Sequence, residues 1–300
     1  MRRRLRPPLP QRHGLDPARL RLPDEGPWTT IRDHLVDRLP RVAPERVDTL
    51  LAEGRVYDLA GPVVPDAPYA PGTSVWFHRD LPDETPVPFD IGVVHRDDAL
   101  LVVDKPHFLA TIPRGSHVVE TALVRLRRDL GLPDLVPAHR LDRVTAGLVM
   151  FVVDPRLRGR YQTMFRDRVV HKVYEAIAPH DPGLALPRVV RSRIVKVKGV
   201  ITAQEVDGPP NAETLVELLE HRAGWGRYRL TPTTGRTHQL RLHLAGLGIP
   251  IRHDDFYPVL RDKPLDDFTN PLQLLAKELS FTDPVTGVER RFTSGLALGF

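Results

Sequence analysis

Apolar residues recur along this chain at two spacings, and the places where the spacing changes mark out its elements. After Thr30, which suits a helix cap, Ile31, Leu35 and Leu39 return every four residues, the repeat of one helix face. A second helix opens at Pro44, a residue suited to the first turn, carries Val47, Leu50 and Leu51 on one face, and stops at Gly54. Short β-prone pieces follow around Arg55 to Tyr57 and Ser74 to Phe77, separated by Gly and Pro turns. Further on the runs lengthen. Ala99 to Val103 reads as a buried strand, and a helix from about Glu120 carries Leu123, Leu126 and Leu130 before Gly131. Gly147 to Val153 is a second buried strand. Asp154 and Pro155 are placed as cap and first turn of a helix burying Leu157, Tyr161, Met164 and Phe165. Strand-like runs at Val169 to Ala178 and Arg227 to Thr231 complete the pattern, and no sequence repeat appears. The expected fold is α+β: a mixed, largely antiparallel sheet with flanking helices, preceded by a small α-then-β module.

Composition adds boundaries. Pro82, Pro86 and Pro88 stand among acidic residues, which suits an extended linker over 81–90. That divides the chain into an arm (1–27), a small module (28–80), the linker and a main domain (91–300). The arm holds Arg2, Arg3, Arg4, Arg6 and Arg12 among prolines, with no apolar segment that would make it a signal peptide, so disorder is expected there. Its arginines either touch phosphates or stay solvated. With 41% hydrophobic residues over 300 positions the chain can bury a full core, and its formal charge of +5 favours a polyanionic partner. No apolar run approaches the roughly 20 residues needed to span a bilayer. Cysteine is absent, which removes disulfides, thiolate nucleophiles and zinc ribbons and fits a reducing cytoplasm.

Three segments carry candidate chemistry. His139-Arg140-Leu141-Asp142-Arg143-Val144-Thr145-Ala146-Gly147 is a charged stretch directly before an apolar strand, where a rigid scaffold presents reactive groups. An isolated Asp in such a loop is usually a cap. Gly235-Arg236-Thr237-His238-Gln239-Leu240-Arg241 leads into a helix, for which Thr237 is the expected cap and Gly248 the stop, and Arg241 could aim at a carboxylate elsewhere. A buried Asp needs such a partner to stay ionised. On Lys172-Val173-Tyr174, strand alternation puts a cation and an aromatic ring on one face. The 13 histidines raise a metal reading through His139, His171, His238, His243 and His253, but His238 and His243 lack the four-residue spacing of a zinc helix and no Glu stands between them.

At these three places the sequence resembles the RluA family of RNA pseudouridine synthases. The loop form His-Arg-Leu-Asp, two residues, Thr, small, Gly runs from His139 to Gly147. Lys-x-Tyr is matched by Lys172 and Tyr174, and Thr-Gly-Arg-Thr-His-Gln-aliphatic-Arg by Thr234 to Arg241. Shorter family-like pieces occur in order at Leu101 to Pro106, Ala212 to Thr214 and Phe281 to Pro284, so the resemblance covers roughly 91–300.

The resemblance implies the pseudouridine synthase fold, a small RNA-binding-like module before it, and isomerisation of uridine in structured RNA, ribosomal or transfer. It implies Asp142 as the catalytic carboxylate, either attacking C1′ or removing the 2′ proton, Tyr174 stacked on the flipped uracil, and Arg241 paired with Asp142. Arg140 would help fill the space left by the extruded nucleotide, with His139, Thr145, Lys172, Arg236 and His238 as further substrate contacts. A redox-neutral exchange of one glycosidic bond for another requires no cofactor or metal. The expected enzyme is cytoplasmic and monomeric, and the alternative is an inactive RNA-binding protein on the same scaffold. Two departures from the family pattern stand out. His107-Phe108 replaces a Gly two residues after Lys-Pro, so a different loop shape is expected there. His253-Asp254-Asp255-Phe256-Tyr257-Pro258 replaces Gly-Asp-x-x-Tyr-Gly, and neither departure is expected to touch the catalytic set.

Overall fold

The computed structural model describes residues 6–81 and 83–300, and the chain divides into two compact units between Asp83 and Glu84. Arg2, Arg3, Arg4 and Pro82 lie outside the described residues. The first unit contains β1 (Ala18–Arg21), α1 (Ile31–Arg38), α2 (Pro44–Ala52), β2 (Val56–Tyr57) and β3 (Ser74–Phe77), with the strands in the order β1-β3-β2. Thr30 caps α1 in a capping box with Asp33, and Pro44 opens α2 as its spacing predicts. Leu35, Val47, Leu51 and Val75 form the core. The strand β1 corrects the expectation of disorder through residue 27. It pairs with β3 from Ala18 opposite Phe77 to Arg21 opposite Ser74, and the Arg19 guanidinium lies over the Trp76 ring while donating to Ser74. Four residues, two of them arginine, were too few to show a period against the surrounding Arg and Pro.

The second unit contains β4 (Gly92–Arg96), β5 (Leu100–Lys105), α3 (Ala122–Asp129), β6 (Val136–Pro137), β7 (Ala146–Val152), α4 (Arg158–Arg166), β8 (His171–Pro179), β9 (Arg188–Val195), β10 (Gln204–Val206), β11 (Ala212–Arg222), β12 (Trp225–Pro232), α5 (Gln239–Gly246), β13 (Leu274–Thr282) and β14 (Glu289–Thr293). One sheet runs β10-β9-β11-β12-β8-β13-β7-β5-β4, with β14 on β13 and β6 on β7. Among the strands of the described residues only β13 and β7 pair in parallel, so the sheet is mixed and largely antiparallel, as expected.

The apolar runs on β5 and β7 are continuous because both faces are covered. Leu101, Val103, Val149 and Phe151 pack with Leu123 and Leu126 of α3 on one side, and Leu100, Val102, Leu148 and Met150 pack with Tyr161 and Met164 of α4 on the other. Gly147 opens β7 at φ 106°, where a Cβ would lie 2.3 Å from the Ala276 carbonyl oxygen of β13. Only glycine lets the two strands meet there. The helix after β7 starts later than expected. Asp154 engages Arg156 in a turn, and Leu157 takes the cap position of α4 without a side-chain cap. The expected linker is also shorter, because the Glu84 carboxylate accepts backbone N–H groups of Val118, Val119 and Glu120 and so ties its end to the second unit.

His34 of α1 is fully buried, its two ring nitrogens lack hydrogen-bond partners, and its imidazole is packed edge-on against Trp28 at 4.4 Å. Burial lowers its pKa below the ordinary 6.5, so the folded state favours the neutral ring. The unfolded chain then binds more protons as pH falls through that ordinary value, and stability drops on the acid side. His34→Leu should therefore raise the urea midpoint more at pH 5 than at pH 8, and an equal gain at both would contradict this assignment.

Candidate active site

The charged loop between β6 and β7 is held from below by groups outside it. Thr111 donates its hydroxyl to the Leu141 carbonyl at 2.8 Å and accepts the Leu141 N–H at 3.1 Å. The Thr145 N–H closes the turn onto the Asp142 carbonyl at 3.1 Å. Lys105, at the end of β5, has no exposed surface, and its ammonium donates to the carbonyls of Pro106, Leu109 and Arg143. Burial pulls its pKa down to about 7, against the opposing pull of Asp142. Next to it, the His107 ring contacts the Val144 carbonyl at 2.8 Å. Lys105 was not singled out from sequence as a site residue, and its only signal was the Lys-Pro pair ending an apolar strand.

Phe108 stands where the family pattern has glycine. It takes φ 65°, the left-handed conformation natural to glycine, so the backbone path that glycine favours is kept. The strain is offset by packing: the ring is almost fully buried against Phe268 and Phe89, with Arg143 and Lys263 near its faces.

Around this loop opens a cavity of about 650 Å³, bordered by all the residues singled out from sequence: His139, Arg140, Asp142, Thr145, Lys172, Tyr174, Arg236, His238 and Arg241. Their surroundings differ. The Asp142 side chain keeps 39% of its surface exposed. Arg140 and Arg236 are exposed at the rim, whereas Thr145 is buried in the turn. The His139 ring stacks on Phe165 and accepts the Met150 N–H, and burial takes its pKa down to about 3, so it is a neutral support for the loop. Lys172 is half-buried, with its pKa lowered by burial and then by Arg168. Burial, followed by the charge of Asp142, pushes the Tyr174 phenol up, so it stays protonated.

Arg241 does not pair with Asp142 as expected. Its guanidinium forms a fork on Asp254, with Nε donating to Oδ2 at 2.8 Å and Nη2 to Oδ1 at 2.5 Å, both side chains being almost wholly buried. Burial works against the arginine's charge, and Asp254 more than offsets it, with Asp142 adding to the pull at longer range. Phe256 and Tyr257 lie near the guanidinium faces. The His253 to Pro258 stretch, expected to leave the catalytic set alone, thus supplies its central counter-charge. The residue nearest to Asp142 among its possible ion partners is His238, with Nε2 3.8 Å from Oδ2.

The expected Thr237 cap is also replaced. His238 precedes α5 at φ 57° without a side-chain cap, and the Gln239 amide oxygen accepts the Arg236 N–H and the Thr234 hydroxyl instead. The amide nitrogen of Gln239 donates to the Glu213 carbonyl and the Thr214 hydroxyl, which joins two of the segments that looked family-like.

A mixed sheet carrying one cationic cavity with an accessible carboxylate at its centre describes an enzyme acting on a polyanion. Residues 99–246 match the family described as RNA pseudouridylate synthase. The dual-specificity RNA pseudouridine synthase RluA of Haemophilus influenzae is 33% identical over 217 residues, covering 68% of this chain and 92% of that protein. The same enzyme of Pasteurella multocida is 33% identical over 209 residues, covering 65% and 89%. Among solved structures, human RNA pseudouridylate synthase domain containing 4 superposes with a TM-score of 0.51 at 26% identity, covering 69% of this chain and 88% of that one. The chain belongs to the RluA family of RNA pseudouridine synthases, enzymes that isomerise uridine to pseudouridine in RNA.

Removing one member of the buried fork leaves the other charged and unpaired. Arg241→Met and Asp254→Asn should each cost roughly 3 to 5 kcal/mol of stability in urea denaturation. Combining Arg241→Met with Asp254→Asn should cost less than the sum of the two single changes, because no orphan charge remains. Strict additivity would show that the two side chains do not act as a pair.

Proposed function

We propose that Asp142 is the carboxylate that carries out the isomerisation and that Tyr174 stacks on the target uracil, in ribosomal or transfer RNA. The observation that carries this reading is the charge of the cavity: among the described residues, eight arginine and lysine side chains border it, and Asp142 is its only carboxylate. The cations suit the phosphates around an extruded nucleotide, and extrusion itself costs a few kcal/mol that such contacts offset. Isomerisation breaks the N1–C1′ bond, forms C5–C1′, and moves one proton from C5 to N1. A carboxylate beside the anomeric carbon serves this chemistry as a nucleophile at C1′ or as a base at C2′. Arg241 supports Asp142 at longer range, while Arg140, Lys172 and Arg236 contact RNA. Thr145 and His139 hold the loop.

The relatives named above are called dual-specificity enzymes, which fits a target defined by local RNA structure. The enzyme is read as a monomer, and the cytoplasm is the compartment that offers such RNA. The first unit is read as an RNA-docking module. Two of its arginines are already paired, Arg32 with Asp48 and Arg46 with Asp80, which leaves exposed Arg38 and Arg41 as phosphate contacts. An unchanged salt slope of binding in the Arg38→Ala, Arg41→Ala double variant would exclude that role.

Asp142→Asn should bind unmodified RNA normally and form no pseudouridine; turnover near the wild-type rate would refute the assignment. Tyr174→Phe should keep most RNA affinity, whereas Tyr174→Ala should lose the roughly 1 to 3 kcal/mol of a stacked base. If both tyrosine variants change only the melting temperature, Tyr174 is a packing residue and the stacking role is wrong.

A further inference from the structure

The hydrogen bonds behind Asp142 determine which nitrogen of His238 carries a proton. The Tyr257 hydroxyl oxygen accepts the Ala203 N–H at 2.8 Å, lies 2.9 Å from the Ala203 carbonyl oxygen and lies 2.9 Å from His238 Nδ1. A phenol has one hydrogen and two lone pairs. If that hydrogen goes to the Ala203 carbonyl, all three contacts are made, provided that Nδ1 bears the imidazole proton and donates it to the phenol oxygen. If the hydrogen goes to Nδ1 instead, the contact with the Ala203 carbonyl is lost. Ala203 is buried, and a buried carbonyl that loses its donor is costly. The first arrangement therefore holds. It leaves Nε2 with a lone pair, 3.8 Å from Oδ2 of Asp142.

We propose that His238 is the proton acceptor paired with Asp142, with its own proton fixed on Nδ1 by Tyr257 and the Nε2 lone pair facing the carboxyl group. The proposal rests on Asp142 being the catalytic carboxylate. The separation exceeds a hydrogen bond, and contacts of this kind commonly tighten when substrate fills a site. Once the C5–C1′ bond has formed, C5 carries one hydrogen too many. The Asp142 carboxylate takes it: the C5–H bond breaks, its electron pair returns to the ring and an O–H bond forms. That O–H then breaks as an N–H forms at Nε2, which regenerates the carboxylate beside an imidazolium. The imidazolium then gives its Nε2 proton to solvent and N1 takes one from solvent, so the turnover has no net proton uptake.

The groups around the ring fit this role. Burial lowers the pKa of His238, opposed first by Asp142, with Arg241 and Lys196 lowering it and Asp254 raising it. Tyr257 and Phe256 pack against the ring. The imidazole is therefore neutral, and ready to accept a proton, over the ordinary pH range. As pH falls below the ordinary histidine value, Nε2 becomes protonated and the rate should fall.

His238→Asn keeps an amide near the position of Nδ1, tolerates the left-handed backbone and removes Nε2. The test measures single-turnover rate against pH, together with RNA affinity, on unmodified ribosomal and transfer RNA transcripts. His238→Asn should bind as wild type, turn over about a hundredfold or more slowly, and lose the fall in rate toward acid pH. Tyr257→Phe, which frees the tautomer while keeping the ring, should bind normally and turn over more slowly with a displaced acid limb. A wild-type rate and pH profile in His238→Asn would overturn the proposal. So would equal losses of affinity and rate, since they would make His238 a substrate contact. An active Asp142→Asn would remove the underlying reading, whereas an inactive Asp142→Asn beside a fully active His238→Asn would remove this proposal alone.

Discussion

A guanidinium and a carboxylate withdrawn from water together are stable only while each keeps its partners, and the site is arranged around one such pair. Asp254 accepts both arms of Arg241 and, through Oδ1, the N–H groups of Phe256 and Tyr257. One carboxylate thus shapes the turn that sets two aromatic rings near the arginine and directs the Tyr257 hydroxyl at both His238 and Ala203. Helix α5, the chain after it and the segment between β9 and β10 are fixed by the same few atoms. A lysine in place of Arg241 would carry the charge without the planar fork.

The rest of the site follows the same division between rigid support and accessible reactive group. Lys105 and Thr111 are buried and reach the loop backbone at Arg143 and Leu141, and the buried Thr145 closes the turn through its N–H, whereas the Asp142 side chain keeps 39% of its surface open. A charged lysine with only carbonyl partners is an unusual support. Burial lowers its pKa to about 7, and Asp142 opposes that shift only by longer-range attraction.

Much of this was legible in the residues. Strands β5 and β7 announced themselves because burial on both faces leaves no polar interruption. The loop, the strand tyrosine and the helix arginine were found by motif, and they border one cavity. The partner of Arg241 was misread because the family pattern suggested Asp142, while Asp254 sits 13 residues along in a stretch that looked divergent. At Phe108 the residues show less than the structure does. Sequence shows that glycine is missing, but not that packing around a ring can hold another residue at positive φ. The cap of α5 was assigned to Thr237 on propensity, whereas a partly buried hydrogen-bond network engages Gln239.

The central claim is that the Asp142 cavity isomerises uridine in cellular RNA, and site-by-site pseudouridine mapping of ribosomal and transfer RNA tests it most directly. Cells lacking this gene should lose pseudouridine at one or a few defined uridines, with restoration by the wild-type chain and none by an equally abundant Asp142→Asn chain. An unchanged map in the deletion strain, or full restoration by the asparagine variant, would contradict the account.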